Sequence, residues 1–362
     1  MNRISNMQAV SVCVLFLIGS SLFMQNPGNQ GADDWLSVLV AWIAYLPLLL
    51  LCGRLMKLCP AQDLIGILLK VMGPWLGRFV GMLYVFYAFL IGSMVLRNFG
   101  DFCQAVSYTD TPLLVPILML GVLAIWAAYA GVEVLARTSA VLFVGVMLMF
   151  VVVSLLGLSA VKPHNLLPIL EHGMLPVLKG GFTSFSLPFG ETILLITVFS
   201  CISNIQRGSR PLLLGVGIAG FLSVYTSLRN TSILGSDIAS SLYFPSYVAI
   251  SRIHVGEFIQ RIEGSSATVF LCALFIKVAV CLLLVSKGTA QIFNLKSYRS
   301  LVLQLGLLMI YLSTFVFSSL MQMIEAAGKY YPYFAFPFVA ILPLVTWIVA
   351  EFRFGRGKRK KA

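Results

Sequence analysis

Residues 139–161, SAVLFVGVMLMFVVVSLLGLSAV, and 301–324, LVLQLGLLMIYLSTFVFSSLMQMI, contain no charged side chain. An α-helix needs about 20 such residues to cross the ~30 Å hydrocarbon layer of a bilayer. Inside that layer every backbone donor and acceptor must be satisfied within the protein, which leaves helices or closed barrels. Similar runs recur at 8–27, 35–56, 77–100, 113–131, 182–204, 210–229, 264–286 and 331–350. The pattern predicts an all-α integral membrane protein with ten transmembrane helices. These form a single bundle over residues 1–350, followed by a basic tail over 351–362, EFRFGRGKRKKA. Only 10% of side chains are charged, against about 25% in soluble domains, so this much apolar surface belongs in lipid.

The net charge of +12 has no basic domain, zinc spacing or aromatic RNA-binding box behind it, which argues against nucleic acid as a partner. The charges fall between the apolar runs. Arg54, Lys57, Lys70, Arg78, Arg207, Arg210, Lys287, Lys296, Arg299 and the tail share one side. GNQGADDW and SYTDT, which carry acids and no lysine or arginine, lie on the other. The bias toward cytoplasmic lysine and arginine places both termini in the cytoplasm. Arg3 precedes the first apolar run, but GSSLFMQNPG is a poor cleavage site, so that run is read as a retained span. Residues 57–76 suit a short helix at the cytoplasmic surface, and 230–263 one or two helices packed as a lid across the external mouth. Seven scattered cysteines without a CxxC pair give neither a disulfide framework nor a metal site. Nucleophilic triads, Walker loops and dinucleotide fingerprints are absent, so no catalytic residue, cofactor or enzymatic reaction is expected.

Two of the ten spans are interrupted. The first contains FLIGSSLFMQNPG, with Gly19, Ser20 and Ser21; the sixth contains SFSLPFGETILL, with Pro188, Phe189, Gly190 and Glu191. Proline lacks the amide donor that a helix interior requires. A backbone so freed cannot face lipid, so it faces packed protein or a cavity. Spans one and six occupy equivalent places in two five-helix halves, and transporters built from inverted repeats bind substrate at such discontinuous helices. Half-helix ends offer partial charges to both groups of an amino acid. Kinks without ligands also occur in membrane helices, but a carboxylate at the second break is costly and points to a polar cavity. Two roles are open to Glu191: accepting a ligand ammonium, or donating a hydrogen bond as a neutral acid.

Other polar residues within the bundle rank below these. Tyr84 and Tyr87 lie on span three and join the ligand-binding candidates. Arg97 and Asp101, four residues apart on that span, fit a local ion pair. Lys277, halfway along span eight, could pair with Glu191, line the cavity or serve a coupling step. These three form a possible charge network.

Taken together, several stretches resemble the B subunits of spore nutrient-germinant receptors, members of the amino acid/polyamine/organocation transporter superfamily. The resemblance runs over essentially the whole chain. It is carried by Ile4, Ser5 and Gln8 at the start, NLLPILEHGMLPVLKG at 165–180, PFGE at 188–191 and FPSYVAISRIHVGEFIQRIE at 244–263. It implies a LeuT-like core of two inverted five-helix repeats, about 8–161 and about 182–350. It further implies a subunit that senses a small germinant, often an amino acid, alongside an A-type membrane subunit and a C-type lipoprotein in the spore inner membrane. Two other functions fit the same features: a secondary amino acid transporter, and a membrane scaffold with a vestigial cavity.

Overall fold

The computed structural model describes residues 4–21, 31–106, 110–202, 209–253 and 263–355. Their regular secondary structure is helical, apart from one isolated parallel bridge between Ile4 and Ile202. The chain runs through α1 (Asn6–Ser21), α2 (Asp34–Leu58), α3 (Leu64–Met72), α4 (Pro74–Val106), α5 (Leu114–Ala130) and α6 (Val132–Gly157). There follow α7 (Met174–Ser186), α8 (Ile196–Phe199), α9 (Ser209–Leu234), α10 (Ser236–Ser241) and α11 (Pro245–Ser251). The last five are α12 (Glu263–Ile292), α13 (Arg299–Phe315), α14 (Leu320–Lys329), α15 (Tyr331–Phe336) and α16 (Leu342–Ala350).

Local chemistry sets several of these boundaries. Ser5 and Gln8 form a reciprocal cap at the start of α1: Ser5 N–H donates to Gln8 Oε1 at 2.9 Å, and Gln8 N–H to Ser5 Oγ at 3.2 Å. That arrangement satisfies two amides that a helix start leaves without partners. Asp63 caps α3 by accepting from Gly66 N–H at 2.9 Å. Gly73 and Gly131, with φ of +88° and +100°, turn the chain between α3 and α4 and between α5 and α6. Few residues other than glycine adopt that geometry at low cost.

Burial sorts the helices into a centre and a rim. In α12, 78% of the most apolar window is buried, against 17% in α6. α1 is buried from Ala9 to Ser20 and packs on α9, α12 and α6. α12 also lies against α4 and α5, and α2 against α7 and α9. On the rim, Met119, Trp126, Val141, Leu148 and Leu155 are exposed apolar side chains, the surface that acyl chains cover.

Among the described residues, seven helical segments are long and apolar enough to cross a membrane, and an eighth crossing results if α13 and α14 count as one. The chain is a multi-pass membrane protein. Its α1 and α5, of 16 and 17 residues, span roughly 25 Å at 1.5 Å per residue, less than a full hydrocarbon layer. Three expectations are corrected. The run at 301–324 is not one helix: it bends by 99° between α13 and α14. Arg97 takes the carbonyls of Thr314 and Phe317 there, at 3.3 and 2.7 Å, and Ser319 caps α14 by accepting from Gln322 N–H. The first run is helical through Gly19, Ser20 and Ser21 rather than broken at them; the expected break beyond, at 22–28, lies outside the described residues. The sixth begins earlier than expected, at Met174, and breaks after Ser186. Residues 57–76 do contain a short helix, α3, and 230–263 contains two, α10 and α11. Most of the basic tail, 356–362, lies outside the described residues, whereas Glu351–Gly355 continues α16 as a π-helical turn.

Candidate functional site

Pro188 has no amide to donate, and α7 ends immediately before it at Ser186 and Leu187, whose N–H closes on Thr183 O at 2.8 Å. A tight 3-10 turn, Phe189–Leu195, then carries the chain into α8. Every residue of that turn is buried. The turn presents Glu191 to the centre of the bundle, where it is 1% exposed, and Lys277 on α12 meets it at 0% exposure.

Lys277 Nζ and Glu191 Oε2 form a salt bridge. Lys277 also donates to Ser20 Oγ on α1 at 2.5 Å, and its ammonium lies 5.0 Å from the centroid of the Phe16 ring. Tyr331 OH donates to the other carboxylate oxygen at 2.5 Å, and Tyr87 OH lies 3.2 Å from Tyr331 OH. Ser20, Lys277, Glu191, Tyr331 and Tyr87 therefore form one connected polar chain across α1, α12, the broken segment, α15 and α4. Desolvation makes such a pair sensitive to the loss of either partner, and here each charge has hydrogen bonds beyond the pair itself.

Two cavities flank this chain. One, of about 70 Å³, is lined by Ser20, Ser21, Asp34, Ser184, Pro188 and Ser227 among others. The second, about 30 Å³, is lined by Asn98, Glu191 and Tyr331. Ser20, Leu187 and Ala327 line both. A cavity needs roughly 10–15 Å³ to hold a water, so the larger admits several waters or a very small ligand. Among the described residues its wall carries eight serine or threonine side chains amid apolar surface, and one carboxylate, Asp34, which accepts from Ser227 Oγ at 2.5 Å. Ala239, Ser240 and Pro245 of α10 and α11 close part of it.

The remaining candidates separate by role. Phe189 lines the larger cavity and stacks on Tyr45, whose OH lies 2.5 Å from Thr192 Oγ1. Gly19 and Gly190 line neither cavity. A Cβ on Gly19 would come within 3.2 Å of the Ala273 backbone on α12, and one on Gly190 would lie 2.2 Å from Val339 Cγ1. Both glycines permit close packing. Tyr84 donates to Phe338 O at 2.7 Å within a π-helical turn, Pro337–Ile341, and Tyr87 stacks on the Phe338 ring at 4.6 Å. Arg97 and Asp101 pair at 3.0 Å, and Arg97 also holds the α13–α14 bend. Among the described residues, neither hydrogen-bonds to Lys277 or Glu191.

Tyr331, Tyr45, Thr192 and Asp34 enter the site without having been singled out in the sequence. Tyr331 sits in the cluster YYPY at the head of an apolar run, where aromatic residues commonly mark the membrane interface. Asp34 reads as a loop acid until α2 begins at it. No group of three or more His, Cys, Asp or Glu side chains that could hold a metal occurs among the described residues.

A sequence model of the family described as Spore germination protein matches residues 3–323. Spore germination protein KB of Bacillus subtilis (strain 168) is 29% identical over 363 residues, covering 99% of this chain and 97% of that protein. Spore germination protein XB of Bacillus anthracis is 20% identical over 258 residues, covering 71% and 72%. Among solved structures, a nucleobase-cation-symport-1 family transporter in a closed conformation with bromovinylhydantoin bound superposes with a TM-score of 0.66. It is 12% identical, with 90% of this chain and 75% of that one covered. MhsT in complex with L-phenylalanine gives 0.64 at 12% identity, covering 95% and 87%. These structures establish the fold: an all-α arrangement of the LeuT type.

Proposed function

The chain belongs to the spore germination protein family, and from that premise we propose that it binds a small solute beside the broken helix and couples its binding to germination. The solute we infer is an amino acid or a similarly small zwitterion. It occupies the hydroxyl-lined cavity between α1 and the Pro188 break. The observation that carries this reading is the buried chain Ser20–Lys277–Glu191–Tyr331 directly beside that cavity, with Ser20 lining it. Because Glu191 is already answered by Lys277 and Tyr331, the solute ammonium is assigned to Asp34 and the cavity hydroxyls. Glu191 then acts through its charge network rather than as the direct ammonium acceptor. The two halves of the bundle, about 8–161 and about 182–350, are taken as inverted repeats hinged around this site, completing ten crossings with both termini cytoplasmic.

In this reading the chain is the B subunit of a germinant receptor in the spore inner membrane, with an A-type membrane subunit and a C-type lipoprotein. Transport of the solute is the second reading, and the fold favours it. The transporter structures superpose over at least 90% of this chain, and a receptor needs only a ligand-biased equilibrium between states, whereas a transporter needs access to both sides as well. Thermal unfolding of the purified chain against a panel of amino acids tests binding, and uptake into proteoliposomes separates the two readings. Saturable stabilisation by one or a few small amino acids is expected. No stabilisation by any solute, with the chain folded, would contradict both.

A further inference from the structure

Arg97 and Arg229 are equally buried, at 5% exposure, but their surroundings differ. Arg97 faces Asp101 and two carbonyls. Arg229 has no carboxylate against it among the described residues; its one hydrogen bond runs from Nη2 to Asn230 Oδ1 at 3.0 Å. Among the described residues its Nε–H finds no acceptor, and the hydroxyl of Thr226, one turn earlier on α9, finds no hydrogen-bond partner. Positions three apart share a helix face. Both residues line the same cavity of about 30 Å³, lined by α6, α9, α11 and α12, whose wall also carries the hydroxyls of Ser246, Ser265 and Ser266. This cavity is separate from the one holding Glu191 and Tyr331.

A guanidinium withdrawn from water without a counter-charge is strongly disfavoured. A planar fork of N–H donors with hydroxyls around it suits a carboxylate or another small anion. The volume holds about two waters, which favours a monovalent species. A cation is disfavoured because Arg229 is the one charged side chain on the wall among the described residues. We propose that Arg229 and Thr226 form a site for a small monovalent anion, filled either by a free halide or by the carboxylate of a small organic acid. The site goes beyond the solute cavity proposed above and does not depend on it. Thr226 lines both cavities, so anion occupancy has a direct physical route to the solute cavity.

The test is thermal unfolding of the full-length chain in detergent at constant ionic strength, with gluconate replaced stepwise by chloride in one series and by formate in another. A saturable rise in melting temperature with chloride alone identifies a halide site; a rise with formate, alone or alongside chloride, identifies a carboxylate site. Either supports the proposal, provided that Arg229→Gln abolishes the response. Thr226→Val, a near-isosteric change, should raise the half-saturating concentration about fivefold to tenfold, and it decides the matter if Arg229→Gln does not fold. The absence of any response in the wild-type chain, which is the result expected if water alone satisfies these donors, overturns the proposal. So does a response that Thr226→Val leaves unchanged.

Discussion

Replacing Lys277 with methionine removes the cation from Glu191 while keeping the length of the side chain. The carboxylate, 1% exposed, keeps its hydrogen bond from Tyr331 but loses its counter-charge. Breaking a buried pair in this way typically costs about 3–5 kcal/mol. Glu191→Gln leaves the ammonium of Lys277 without its counter-charge, facing Ser20 Oγ, the Phe16 ring and a neutral amide, and a similar loss is expected. In the double variant both charges are gone, and glutamine still accepts from Tyr331 OH. Replacing a buried pair as a whole is often close to neutral, so the double variant should regain most of the stability lost by either single one. The expected coupling energy is about 2–4 kcal/mol, at or above the upper part of the range for contacting residues. Unfolding in detergent mixed with SDS, read by tryptophan fluorescence, gives the four stabilities of the cycle. Additive losses, with coupling below about 0.5 kcal/mol, would refute the claim that the two groups act as one buried unit.

Tyr331→Phe removes the hydroxyl donor to Glu191 and should destabilise by about 1.5–3 kcal/mol, as for other hydrogen bonds to charged groups; the same unfolding assay reads it. Gly190→Ala places a methyl group against Val339, an overpacking expected to cost about 1–3 kcal/mol. Val339→Ala in the same chain should recover most of that loss, and failure to do so would remove steric contact as the reason for this glycine. A cysteine placed at Gly357 in a background lacking the native cysteines should be labelled only from the cytoplasmic face; labelling from outside intact cells would reverse the proposed orientation.

The helix break at Pro188 was legible because a missing amide donor is a local property of the sequence. Glu191 and Lys277 were legible as isolated charges within apolar runs, where a mutual partner is the usual outcome. The cap formed by Ser5 and Gln8 was not read as one: the two residues drew attention only through the family resemblance, and the reciprocal hydrogen bonds came with the fold. The bend between α13 and α14 was not legible. Its run has no proline, glycine or charge at the turn, and the group that takes the freed carbonyls is Arg97, 217 residues from Thr314 in the chain. Gly19 and Gly190 drew attention as sites of backbone freedom, whereas their reason is the approach of Ala273 and Val339, which only the folded chain brings near. Tyr331 was hidden by its resemblance to an interface aromatic, and Arg229 by its place near the end of an apolar run.

The account turns on a solute seated in the cavity lined by Ser20, Asp34 and Ser227. Its most direct test is the germinant dose response of spores carrying Asp34→Asn, with the amount of the chain in the spore membrane measured in parallel. Asparagine keeps the shape and can accept from Ser227 but cannot offer a negative charge to an ammonium group. The expected result is a rise of about tenfold or more in the half-maximal concentration, equivalent to roughly 1.4 kcal/mol, at an unchanged protein level. An unchanged dose response at full protein level would contradict the account.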